Sequence, residues 1–70
     1  NEGDEHALPA LCRILCDAEP VIRGAAAWAL GQIGGEPALA ALKSRRSVED
    51  NATVLSEIEQ ALAQCPTKSN

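Results

Sequence analysis

Few side chains in these 70 residues have the type and spacing to do chemistry, and they fall into three groups. Cys12 and Cys16 lie four apart, so a helix would carry both on one face, where two thiolates could ligate zinc. Zinc needs two further ligands, and the only nearby candidates, His6 and Cys65, are not fixed in place by any spacing. The favoured reading therefore makes Cys12 and Cys16 small buried hydrophobes of the core, and His6 a solvated side chain. Lys43, Arg45 and Arg46 are half of the six cations and cluster together. They either complement a helix C-terminus or follow a nucleic-acid backbone as phosphate contacts. Arg23 is a further candidate phosphate contact. No Ser–His–Asp arrangement, glycine-rich phosphate loop or helical carboxylate pair is present, and Glu57 and Glu59, two apart, face different ways. No catalytic residue, metal site or small-molecule substrate is expected.

The elements that position these residues are helices. Hydrophobic residues make up 46% of the chain and aromatics 1%; there is one Trp and no Phe or Tyr. Thirteen of the apolar residues are Ala, which favours helices that approach closely over a sheet built from β-branched and aromatic side chains. A chain this short buries only about 60% of its unfolded surface, which allows one domain with a thin core. The spacing predicts a first helix from His6 to Cys16 with Leu8, Leu11, Cys12 and Leu15 inward and Pro9 in its first turn. A second runs from Pro20 to Ile33 on an Ile22, Ala26, Ala29, Leu30, Ile33 stripe and stops at Gly34–Gly35. A third opens at Glu36–Pro37, buries Ala38, Leu39, Ala41 and Leu42, and gives out near Arg46. After a loop with Asp50 or Asn51 as cap, a fourth covers Ala52–Gln64 through Val54, Leu55, Ile58, Ala61, Leu62 and Cys65. Residues 1–5 are expected to be frayed, 6–34 and 36–65 to be hairpins, and 67–70 to be a polar tail.

The two hairpins are copies. Pro9-Ala10-Leu11 aligns with Pro37-Ala38-Leu39, and Ile22, Ala26, Ala29, Leu30 and Ile33 align with Val54, Ile58, Ala61, Leu62 and Cys65. A helix–turn–helix unit of about 30 residues used twice implies an all-α solenoid of four helices with a shared core.

Trp28, about 120° around its helix from the core stripe, is expected to touch something outside its own repeat pair. Gly24, Ala27 and Gly31 form a seam of small residues on that helix and are expected to receive another helix. The remainder of a longer parent chain is the partner these features suggest. The formal charge of -4 argues against tight nucleic-acid binding by this piece alone. No apolar run reaches the roughly 20 residues of a membrane span, and an odd number of cysteines speaks for reduced, cytoplasmic thiols.

The stretch from Asp17 to Gly34, with Pro-Val-Ile-Arg-Gly followed by Ala-Ala-Trp-Ala-Leu-Gly at residues 20 to 31, resembles the short, alanine-rich HEAT-like repeats of phycobilin lyases and bacterial scaffolds. It is similar, more narrowly, to the C-terminal helical domain of tRNA epoxyqueuosine reductases, and Glu57-Ile58-Glu59-Gln60-Ala61-Leu62 agrees with how such chains finish. The resemblance spans about residues 7 to 65 and is distinctive over 17 to 34. It implies an accessory, non-catalytic domain of an iron–sulfur, cobalamin-dependent oxidoreductase, with tRNA as a candidate partner. The 4Fe–4S clusters and cobalamin of that family belong to its larger N-terminal part, since clusters need runs of closely spaced cysteines, so no cofactor is expected here. In such repeats Asp17 and Arg23 resemble an Asp–Arg ladder between turns. The alternatives are a HEAT-type protein–protein scaffold and, more remotely, a small metal-binding redox domain.

Overall fold

A computed structural model describes residues 2–64, with side chains from residue 8 onward. Its elements are α1 (Glu2–Ile14), α2 (Pro20–Ile33), α3 (Gly35–Arg46) and α4 (Ala52–Gln64), with no strand among the described residues. Consecutive helices form two antiparallel hairpins. α2 and α4, the second helix of each, make the most extensive contact in the molecule, while α1 and α3 barely meet. The result is a two-layer slab of 32 × 24 × 15 Å.

Local chemistry sets the boundaries. Pro20 occupies the first turn of α2, where its missing N–H costs nothing. Gly34 ends α2 at φ 73°, a left-handed conformation that L side chains resist, and donates its N–H to the Leu30 carbonyl at 3.0 Å. Gly35, at φ 89°, opens α3 with no loop between. Asn51 caps α4, its Oδ1 accepting the Val54 N–H at 3.0 Å. Asp17 does not cap α2. Its Oδ1 accepts the Glu19 N–H at 2.9 Å, a turn that shapes the α1–α2 loop. α1 begins four residues before the expected His6, so Pro9 lies inside that helix and not in its first turn.

The core consists of Leu15, Ala26, Ala27, Leu30, Ala38, Leu42, Val54, Ile58 and Ala61, with Leu8, Leu11, Ala41 and Leu62 packed at its edge. Leu30, Leu42 and Ile58 are fully buried, each contributing roughly 1.5–3 kcal/mol of transfer free energy. The inward face of α2 differs from the expected stripe. Ile22 is 41% exposed, Ala29 and Ile33 are only half-buried, and the buried residues are Arg23, Gly24, Ala26, Ala27, Leu30 and Gly31. The expected Cys65 contact and the 67–70 tail lie outside the described residues.

Candidate functional site

The buried face of α2 is turned toward α4, and the small-residue seam is what lets α4 in. A Cβ added to Gly31 would lie 3.0 Å from the Ala61 Cβ and 3.1 Å from its Cα. Ala27 is completely buried, and Gly24 faces the Glu57 side chain, which a Cβ would meet at 3.5 Å. Gly24, Ala27 and Gly31 were expected to receive a helix from elsewhere. They receive α4 of the same chain, because its close approach at Gly31 needs residues without bulk there. At Ala27 and Gly31 the seam is filled from within the chain.

Arg23 is buried at 8% exposure beside Glu49, whose side chain is fully enclosed. Its Nε donates to Glu49 Oε1 at 2.9 Å and its Nη2 to Oε2 at 2.7 Å, a fork matched to a carboxylate. Its Nη1 donates to the main-chain carbonyls of Asp17 at 2.7 Å and Ala18 at 3.2 Å. Glu49 also accepts Arg45 Nε at 2.9 Å and the Asn51 N–H at 3.1 Å. The Arg23 guanidinium, opposed by burial and helped by Arg45, holds the Glu49 carboxyl at about 2, well below the usual carboxylate range. Glu49 in turn raises Arg23 further above its ordinary value.

Two sequence expectations change here. Arg23 pairs with Glu49 across 26 residues and touches Asp17 only at its backbone, so the Asp17–Arg23 side-chain ladder does not form. With its donors committed to Glu49, Asp17 and Ala18 inside the fold, Arg23 also has no surface to offer a phosphate. Sequence reasoning missed Glu49. Its signal was modest: an acid four residues after Arg45 and two before the Asn51 cap.

The cationic cluster is partly neutralised. Arg45 serves Glu49, and the exposed Arg46 lies 3.5 Å from Glu59 on α4. Lys43 is exposed and alone of the three makes no ion pair among the described residues. Trp28 is 60% exposed on α2, with Val21 at 82% and the exposed Ala25 on the same helical face, since 21, 25 and 28 are spaced by four and three. Cys12 and Cys16, expected in the core, are both exposed. Leu11 and Leu15 take the inward positions of that turn, which rotates the two thiols outward.

The sequence that builds these two helical pairs matches the HEAT repeats family over residues 2–63. The chain belongs to the HEAT-repeat family. Among curated relatives, a protein of Geobacillus stearothermophilus described only as an uncharacterised protein in the gldA 3′ region is 38% identical over 60 residues, covering 84% of this chain and 28% of that protein. The epoxyqueuosine reductases of Bacillus cereus and Bacillus anthracis are each 40% identical over 57 residues, covering 80% of this chain and 15% of theirs. This HEAT-repeat chain thus spans between 15% and 28% of the length of these relatives. No solved structure matches it significantly.

The described residues contain no group of three or more His, Cys, Asp or Glu side chains able to hold a metal. Two exposed thiols fall short of the four that an iron–sulfur cluster takes. The described residues do not fit such a group. No described helix is long and apolar enough to cross a membrane.

Proposed function

We propose that the chain is the helical-repeat accessory domain of an epoxyqueuosine reductase-like protein, acting by contact and not by reaction. The observation that carries this reading is the 40% identity to two such reductases over 57 residues, a span that takes in both hairpins. The described surface supports it. Its one buried charged network is spent on holding the two hairpins together, and what faces outward is an apolar stripe on α2 and a small basic patch at the end of α3.

Two contacts divide the work. Val21 and Trp28 suit the catalytic part of the parent chain, and Lys43 and Arg46 suit the phosphates of a tRNA arm placed beside it. Arg45 is excluded from the second role by its bond to Glu49. In the full-length protein, Lys43→Glu with Arg46→Glu should weaken tRNA binding and reduce the slope of log affinity against log salt by roughly 0.7–0.9 per cation. Unchanged affinity and slope would leave the domain with stabilisation alone. The second reading, a HEAT-type scaffold for another protein, is favoured by the same exposed Val21–Trp28 stripe. The parent reading frame separates the two: paired cysteine-cluster motifs ahead of this segment support the reductase, and further repeats of about 30 residues support the scaffold.

A further inference from the structure

Because the two hairpins are copies, each residue of the first has a counterpart in the second, and on one side of the slab the counterparts differ in burial. In the second hairpin Ala38, Leu42, Val54 and Ala61 are at most 4% exposed. The repeat pairs them with Ala10, Ile14, Ile22 and Ala29 of the first. Ala10 is exposed, Ile14 and Ile22 are 37% and 41% exposed, and Ala29 is half-buried. Each set has its own hairpin behind it, but only the second hairpin has another unit on its leading side. The open apolar patch, shared by α1 and α2, is thus the surface that a stacked unit covers in a repeat array. At the other end of the slab the chemistry reverses. Leu15, Gly24 and Ala27 are buried, whereas their counterparts Lys43, Ser56 and Glu59 are exposed, and Glu59 lies 3.5 Å from Arg46. A polar outer face of this kind ends a stack.

The loops carry the same asymmetry. Asp17 and Glu49 hold matching places before α2 and α4, and each carboxylate accepts the N–H two residues on, from Glu19 at 2.9 Å and from Asn51 at 3.1 Å. Glu49 also receives Arg23 of the unit before it. Asp17 makes no ion pair among the described residues. We propose that the Ala10–Ile14–Ile22–Ala29 face seats a third helical hairpin, supplied by the parent chain ahead of these residues. Its second helix brings an arginine to Asp17, as Arg23 comes to Glu49, and a small residue to Ala29, as Gly31 comes to Ala61. This goes beyond the functional reading above and is common to both of its forms, since cluster motifs or more repeats would lie ahead of that hairpin.

Hydroxyl-radical footprinting of the full-length parent and of the 70-residue chain tests the assignment, because it reads aliphatic side chains one by one. In the parent, modification of Ile14 and Ile22 should fall several-fold, toward the level of the buried Val54. Asp17→Asn keeps an oxygen for the Glu19 N–H, and it should restore part of the Ile22 modification in the parent while changing nothing in the 70-residue chain. In the monomeric parent, Ile22→p-benzoylphenylalanine should photo-crosslink to the segment directly ahead of residue 1 of the same molecule. Equal modification of Ile14 and Ile22 in both proteins would overturn the assignment, as would a crosslink to a second copy, to another protein or to a distant part of the parent. Protection indifferent to Asp17→Asn would overturn the arginine contact. Protection confined to Val21 and Trp28 would sink the third hairpin and leave the functional reading standing, whereas protection confined to Ile14 and Ile22 would do the opposite for the contact assigned to Val21 and Trp28.

Discussion

Glu49 accepts four hydrogen bonds, two of them from Arg23, and the acid response of the fold follows from that one side chain. Its folded-state value of about 2 lies below that of the unfolded chain. The stabilisation is therefore fully present above the ordinary glutamate value of about 4.3 and is lost as pH falls from there toward about 2. Chemical unfolding between about pH 5 and 2 should show this decline, and Glu49→Gln should flatten it while lowering stability at pH 7. Removing the carboxylate altogether, as in Glu49→Ala, leaves a buried guanidinium unpaired and should cost about 3–5 kcal/mol. That is a large share of what a small domain possesses. The sequence displays both residues, but a pair 26 positions apart is created by tertiary contact. Asp17, only six residues away along the chain, supplies only its carbonyl.

At the scale of the element, two glycines on one helix face α4 with opposite consequences. Gly31→Ala drives a Cβ against the backbone and side chain of Ala61, and overpacking of this kind costs about 1–3 kcal/mol. Gly24→Ala meets only the Glu57 side chain at ordinary contact distance, so the gain in helix propensity, up to about 1 kcal/mol, should prevail. Thermal unfolding of the two variants should shift in opposite directions. Helix boundaries were largely legible because Pro20, Gly34 and Asn51 dictate them by backbone chemistry. The rotation of α2 was not. Nearly every position of that helix is apolar or small, so no polar face marks which side is outward, and its single charge, Arg23, is itself inside. In α4, where Ser56, Glu57, Glu59 and Gln60 define an exposed side, Val54, Ile58 and Ala61 came out buried as the spacing predicted. The thiols of α1 show the same ambiguity: Leu11 and Cys12 are neighbours in the pattern, and only the position of α3 and α2 decides which turns in.

At the scale of the whole molecule, one side of the slab is finished and another is bare. Trp28 and Val21 are exposed on α2, while α4 packs on the adjoining Gly24–Gly31 face of that helix. In the 70-residue chain the Trp28 fluorescence should be readily quenched by acrylamide. In the full-length parent it should be shielded, if the stripe seats against the rest of that protein. Equal quenching in both would leave the stripe free for an external partner. The architecture itself was legible because the internal repeat, Pro9-Ala10-Leu11 against Pro37-Ala38-Leu39, is written in the order of residues. Which faces remain open is a property of the assembled array and has no counterpart in any one repeat.

Arg23, at the start of α2, ties the carbonyls of the loop after α1 to Glu49 in the loop after α3, and so fastens neighbouring units at their corners as well as along their flanks. Peeling the second hairpin from the first would break this pair and strip each charge of its partner. Partial detachment is thereby penalised, and a pair of copies too small to stand separately is made to rise and fall as a single body.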